Sequence, residues 1–265
     1  MSSIHPVSRS RHADLRWRRF TSYQFAAATA LVPLAAAEIT QAALSLPLAF
    51  VHRDGRWSLA AVLGLLPGQN LFVDASGSWL ARYIPAGLRG YPFLIGTQAS
   101  GEHTLCIEEA SGLVTEGPDG DSFFDEAGAL SPLVTEVANF LSDTARSEAT
   151  LVQACGLLQS AGVIEPWPIT IQGSDGSQQV TGLNRINEAA LNGLDDAAFS
   201  PLRRTGAVGV AYAQLLSVAN LGQLGQLAQA RAQAEAAERA RAEVKPMITL
   251  PEDSSIDWDW SKIGR

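Results

Sequence analysis

From Leu46 to Glu108 apolar and polar residues alternate or fall in short bursts, the pattern of strands whose two faces meet different surroundings. Leu48 to His52 and Arg56 to Leu63 flank Arg53-Asp54-Gly55, and this spacing predicts a hairpin closed by a tight turn. Asn70 to Val73, Trp79 to Ile84, Tyr91 to Gly96 and Thr104 to Glu108 are predicted as further short strands, divided by Gly, Ser and Pro. Beyond the loop Gly117 to Asp121 the period becomes helical. Ser131-Pro132 predicts a helix start, with Leu133, Val137, Phe140 and Leu141 on one apolar face. A second helix is expected from Ala149 to Ser160, stopping at Gly162. Glu165 to Ile171 and Gln178 to Thr181 read as a small hairpin around Gly173 to Ser177, with prolines that suit an edge position. Helical segments follow at Asn187 to Asn192, at Asp195 to Arg204 and from Gly206 onward.

After Leu227 the sequence AQARAQAEAAERARAEV offers alanine as its main apolar residue. Alanine favours helix but has little surface to bury, so this part is expected as a solvated helical extension. A seam through Leu227, Ala230, Ala234, Ala237 and Val244 is its candidate route to self-association. The predicted class is α+β: a mainly antiparallel β N-terminal half, a helical C-terminal half and a long Ala-rich C-terminal helix. The divisions are a basic N-terminal arm (1–30), an α+β domain (31–220, β-rich over 31–116 and helix-rich over 122–220), the helical extension (221–244) and a flexible tail (245–265) holding Trp258 and Trp260.

Composition narrows the function. An apolar fraction of 46% over 265 residues supplies a full core, and a net charge of −8 argues against a general nucleic-acid binder. The basic exception is Arg9, Arg11, Arg16, Arg18 and Arg19, read as a solvated arm. Cys106 and Cys155 fit no redox or metal spacing and are read as small buried hydrophobes. Arg18 to Ala37 imitates an export signal, but Gln24 and Pro33 interrupt its apolar run, so the expected location is cytoplasmic, with export as the alternative. No unbroken apolar run approaches the roughly 18 residues of a membrane span.

Candidate chemistry is sparse. His52-Arg53-Asp54 resembles a kinase catalytic triplet but lacks its Asn, its glycine-rich loop and its metal-binding Asp motif. His5, His12, His52 and His103 have no metal-ligand spacing, and Ser76-Gly77 and Ser100-Gly101 lack an adjacent base. Glu108-Glu109 is a candidate acid pair, more simply a strand end. No cofactor is expected. The densest feature is Gly68 to Phe93, where Trp79, Tyr83, Arg89, Tyr91 and Phe93 are candidates for a ligand wall, with core packing the alternative.

Certain residues resemble those of the SapC family, the bacterial group named after a surface-layer locus and distinct from the peptide-transport permease of that name. They are His12 to Arg16, Val32-Pro33-Leu34 with Glu38, Leu46 to Phe50, Leu63-Gly64-Leu65, Asn70-Leu71-Phe72, Trp79, Tyr83-Ile84-Pro85 and Arg89 to Phe93. Phe124 to Gly128, Leu183 through Glu188, Gly206 and Tyr212 to Ser217 continue the likeness. The resemblance implies a soluble binding or accessory protein acting with bacterial surface or outer-membrane nutrient-uptake machinery, with a protein partner and a peptide or aromatic small molecule as ligand. It supplies no catalytic residue set. The alternatives are an enzyme or enzyme subunit tailoring a peptide or aromatic substrate, for which His52, Asp74, Arg82 and Glu108 would surround one pocket, and a structural surface-layer component.

Overall fold

The computed structural model describes residues 3–97, 103–173 and 176–242. The Ser100-Gly101 turn, the end of the extension at 243–244 and the tail 245–265 with Trp258 and Trp260 lie outside the described residues. Met1–Leu227 form one compact unit and Ala228–Arg265 a second.

Along the chain come β1 (Ile4–Pro6), α1 (Arg9–His12), β2 (Leu15–Trp17), β3 (Leu31–Pro33), α2 (Ile39–Ala43), β4 (Leu48–Arg53) and β5 (Arg56–Val62). They are followed by α3 (Ala86–Arg89), β6 (Phe93–Thr97), β7 (His103–Glu108), β8 (Val114–Glu116), β9 (Asp121–Ser122) and α4 (Pro132–Ser160). The remainder holds β10 (Ile164–Pro166), β11 (Ile169–Gly173), β12 (Gly176–Val180), β13 (Asn184–Ile186), α5 (Glu188–Asn192), α6 (Asp196–Arg204), α7 (Ala207–Ser217) and α8 (Leu221–Ala242). The class is α+β, with every strand pair antiparallel. A five-stranded sheet has the order β10-β13-β4-β5-β3, two three-stranded sheets the orders β1-β7-β6 and β8-β2-β9, and β11 pairs with β12 alone.

The β4–β5 hairpin closes at Arg53↔Arg56, with Asp54 at φ 49° and Gly55 at φ 73°. Positive φ at both turn residues matches the twist of the strands, which is why Asp-Gly marked the turn. Ser131 caps α4 by accepting from Val134 N–H at 3.4 Å, and Gly162 stops the chain at φ +71°.

Two cores explain the length of α4. Its first turns give Val134 and Leu141 to a small core with Trp17, Phe93, Ile107 and Phe123. Its last turns give Leu151, Ala154, Cys155 and Leu158 to the large core on the five-stranded sheet. A single 29-residue helix therefore replaces the predicted helix start and separate second helix. The polar middle does not break it, because Ser142, Thr144 and Thr150 donate back to the carbonyls four residues earlier.

Other differences also have local causes. Asn70 to Val73 and Trp79 to Ile84 are not strands, and only the bridge Val73↔Trp79 forms. The Asn70 side chain accepts from Phe72 N–H at 2.9 Å and donates to Ala26 O at 3.0 Å, so local bonds replace a ladder. Tyr91 stands in the turn before β6. Pro166-Trp167-Pro168 splits the expected strand Glu165 to Ile171 into β10, at the sheet edge, and β11. The N-terminal residues expected as an arm are folded instead: β1 pairs with β7, β2 lies between β8 and β9, and His12 and Trp17 are buried. The helix expected from Gly206 is interrupted by a 3-10 turn at Val218–Asn220.

α7 ties the sheet together where its strands part. β13 meets β4 at the single pair Asn184↔Phe50. Beyond it Gln214 accepts from Ile186 N–H at 2.9 Å and donates to Leu48 O at 3.2 Å, while Ser217 Oγ accepts from Leu48 N–H at 3.0 Å. By length and composition Ala207–Arg241 is apolar enough to cross a membrane. Within the first unit, however, its Ala207, Val210, Ala211 and Leu224 belong to the large core. In the second unit, the helix from Ala228 to Arg241 is exposed along its length.

Gln214→Leu leaves a buried N–H and a buried carbonyl unpaired and is expected to lower unfolding free energy by about 3 kcal/mol. Leu216→Ser, on the same helix but 73% exposed, is expected to stay within about 0.5 kcal/mol of the parent. Equilibrium urea unfolding of both variants checks the contrast; equal losses would remove Gln214 as the tie.

Candidate functional site: an aromatic cleft

The site begins with a buried carboxyl group. Glu38 ends the 3-10 turn Ala36–Glu38 and is 5% exposed. Its Oε1 accepts from Ala35 N–H at 2.8 Å, and its Oε2 accepts from Tyr83 O–H and Ala86 N–H, each at 2.7 Å. These bonds fasten the aromatic segment and the start of α3 to the sheet side. Burial, and then the hydrogen bond to Glu38, push the Tyr83 phenol well above its usual value. On α4, burial and then the charge of Glu38 raise the half-buried Glu148.

From Tyr83 the chain of contacts turns outward. Arg89 Nη2 donates to Tyr83 Oη at 3.3 Å, and the guanidinium lies 5.7 Å from the Tyr83 ring centre and 5.1 Å from that of Phe140. The turn after Arg89 approaches α4 closely: a Cβ on Gly90 would meet Leu141 Cδ2 at 2.5 Å. Glycine at that position lets Tyr91 and Phe140 face the same space. The Tyr91-Pro92 peptide is cis.

A second aromatic run, Trp17 to Phe25, meets this segment from the other side. Phe25 stacks on Tyr91 with ring centres 3.9 Å apart, and Phe20 packs against Tyr23, Phe25 and Tyr91 at 5.2, 5.1 and 6.2 Å. Tyr23 leans on Trp79 at 5.5 Å, and Trp79 on Phe72 at 5.9 Å. Between the two runs and α4 opens a cleft of about 450 Å³, lined by Trp17, Arg19, Phe20, Tyr23, Arg89, Gly90, Tyr91, Phe93, Glu136, Val137 and Phe140. Burial holds the Tyr23 and Tyr91 phenols above their ordinary range, so their hydroxyls keep their protons at neutral pH.

Of the five predicted wall residues, Arg89, Tyr91 and Phe93 line this cleft. Phe93 is buried against Trp17 and forms its floor. Trp79 and Tyr83 do not line it: Trp79 Nε1 donates to Tyr83 O at 2.9 Å, and both side chains support the wall from behind. The sequence reading missed Arg19, Phe20, Tyr23, Glu136 and Phe140. The density of aromatics in Trp17 to Phe25 was the available signal, obscured by the likeness of Arg18 to Ala37 to a leader.

The other candidates are dispersed. His52 is exposed and stacks on Trp57, Asp74 accepts from Ser76 and Ser78 within its own loop, and neither they nor Arg82 or Glu108 line this cleft. Glu109 is not a raised acid. The Arg11 guanidinium hydrogen-bonds it and holds its carboxyl below the usual range; His12 Nε2 lies 3.2 Å away without the alignment of a hydrogen bond. Both cysteines are free and buried, and burial pushes the Cys155 thiol up to about 12. A second cavity of about 490 Å³, with Arg53 its one charged lining residue, lies between Thr29 to Leu31, Gly64 to Gly68 and β11–β12.

Fold and cleft together define an α+β protein with an aromatic, arginine-bearing groove beside its smaller core. The family model described as SapC matches residues 7–224, and the chain belongs to the SapC family. No curated protein matches the chain. No solved structure does so either.

Glu38→Gln sets an amide donor against groups that need an acceptor, and is expected to cost about 3 kcal/mol; Tyr83→Phe, which removes one donor, is expected to cost about 1 kcal/mol. Denaturant unfolding of each checks the order. Glu148 has a raised folded pKa, so its contribution is fully present below the ordinary value of 4.5 and lost as pH rises through the folded value. Glu148→Gln should therefore raise the melting temperature at pH 7 and lose that advantage below pH 4.5. A gain that is the same at both pH values would show that ionisation is not its cause.

Proposed function

We propose that this SapC family chain is a binding or accessory protein, working with a protein partner of the bacterial surface or nutrient-uptake machinery, and that its ligand, a peptide or aromatic small molecule, occupies the cleft beside Tyr91. The observation carrying this reading is the convergence of Phe20, Tyr23, Tyr91 and Phe140 on one open space. Aromatic rings provide broad contact area at low entropic cost, and a volume of about 450 Å³ suits one small ligand or one anchoring side chain. The rings are already held in place by Phe25, Trp79 and Glu38, so binding needs little reorganisation.

The enzyme alternative has less support, because the acid–base groups it needs are not gathered at this cleft. The location we propose is cytoplasmic. Cleavage after Ala37 would remove β1, β2 and β3 together with the buried Ala26, Val32 and Leu34, which favours a chain that keeps this segment.

Phe20→Ala and Tyr91→Ala are expected to weaken binding of aromatic fragments by at least about 10-fold, the loss of one stacked ring. Ligand-observed NMR against an aromatic fragment set, with Trp57→Ala as the distant control, checks this; fragment binding unchanged in both cleft variants would refute the cleft. Mass spectrometry of the protein purified from its native cells is expected to show residues 18–37 retained. A mature chain starting at Glu38 would establish export.

A further inference from the structure

Among the described residues the two arginines of the cleft meet no carboxylate, whereas three others in the first unit do. Arg11 pairs with Glu109, Arg146 with Asp143, and Arg185 with Glu165. In the cleft, Arg19 and Glu136 form no ion pair or hydrogen bond among the described residues, and Arg89 reaches no carboxylate, only the Tyr83 hydroxyl and two ring faces. A guanidinium has five donors in a fixed fork, so most of those on Arg89 and all on Arg19 remain available.

The floor has an independent surplus of donors. Trp17 is 2% exposed and lines the cleft, yet its Nε1–H has no acceptor among the described residues. A buried donor without a partner is costly and rare in a folded protein, so an acceptor from outside the described chain, a water or a ligand, is expected to meet it. The tyrosine hydroxyls of Tyr23 and Tyr91 can donate as well. Against these donors the lining carries one acidic side chain, Glu136; Glu108, whose charge also acts on Tyr91, lies outside the lining.

We propose that the cleft takes an aromatic carboxylate, its ring among Phe20, Tyr91 and Phe140 and its carboxylate on the guanidinium groups of Arg19 and Arg89. This rests on the cleft being the ligand site and adds the ligand's charge and functional group. Carboxylates match the guanidinium fork, and one such anion leaves the remaining charge of Glu136 balanced by the second arginine. An aromatic cation, which bare aromatic walls would also attract, meets two like charges here.

The test uses three probes with one ring system: 2-naphthoate, 2-naphthamide and 2-naphthylmethylammonium, titrated into the full chain by calorimetry. Naphthoate is expected to bind at least about 10-fold more tightly than naphthamide, the gain of a charge-assisted hydrogen bond, with the ammonium weakest. Arg19→Gln and Arg89→Gln should each erase most of that preference, and Arg82→Gln, outside the cleft, should keep it. Arg19 has no described partner in the fold, so Arg19→Gln carries the test even if Arg89→Gln proves unstable. Equal binding of naphthoate and naphthamide, a preference for the ammonium, or a preference untouched by Arg19→Gln overturns the carboxylate while leaving an aromatic cleft. No binding of any probe overturns both.

Discussion

The hydrogen bonds to the buried Glu38 carboxyl are the constraint on which the aromatic half of this protein depends. A carboxyl that is 5% exposed must find donors inside the fold, and here they come from three places: its own turn, Tyr83 and the first residue of α3. Satisfying it brings a segment without regular strands to a defined position against the five-stranded sheet. Tyr83 then carries the restraint outward to Arg89, and the α3 terminus carries it to Gly90 and Tyr91. The wall of the cleft is thus fixed by a polar group, although its contact surface is aromatic.

The same logic operates at the other side of the large core. Gln214 and Ser217 are fully buried polar side chains whose bonds all go to backbone groups of β4 and β13 or to α7 itself. They supply contacts that a sheet pairing at one residue cannot, and they set where α7 sits along the strands. Between these two ties runs α4, one helix serving two cores, with Phe140 and Glu136 on the cleft and Leu158 deep in the large core. Loss of packing in the small core would therefore displace cleft residues even without touching them.

Legibility followed range along the chain. The Asp54-Gly55 turn, the Ser131 cap and the Gly162 stop are local events in which one or two residues dictate backbone geometry, and they were readable. The class and the helical C-terminal half were readable from period. What failed was what distant residues decide: whether Asn70 bonds a neighbouring strand or Ala26, whether the polar middle of α4 ends a helix, whether the residues that carry the N-terminal arginines form an arm or pair as strands. One wall of the cleft was legible for the same reason, since Arg89, Tyr91 and Phe93 lie in one aromatic segment. Their counterparts Arg19, Phe20 and Tyr23 approach from far upstream, and nothing in spacing alone joins the two runs.

The residues that carry the SapC resemblance divide the cleft into two kinds of wall. Glu38, Asn70, Trp79, Tyr83, Gln214 and Ser217 belong to that set and all hydrogen-bond within the fold, so the likeness is first a likeness of architecture. Arg89, Tyr91 and Phe93 belong to it as well, and they form the wall that Glu38 positions. Arg19, Phe20, Tyr23, Glu136 and Phe140 stand outside it and form the opposite wall, whose exposed charges no other part of the described chain engages. A substitution on the first wall disturbs scaffold and contact surface together, through Tyr83. On the second, a substitution at Arg19 or Glu136, which are exposed, changes charge with the scaffold left intact, whereas one at Phe20, Tyr23 or Phe140 also removes ring packing. If the cleft takes the ligand we propose, selectivity among ligands that share the Arg89 side would be set at Arg19 and Glu136, both exposed, where a change of side chain has the least structural consequence.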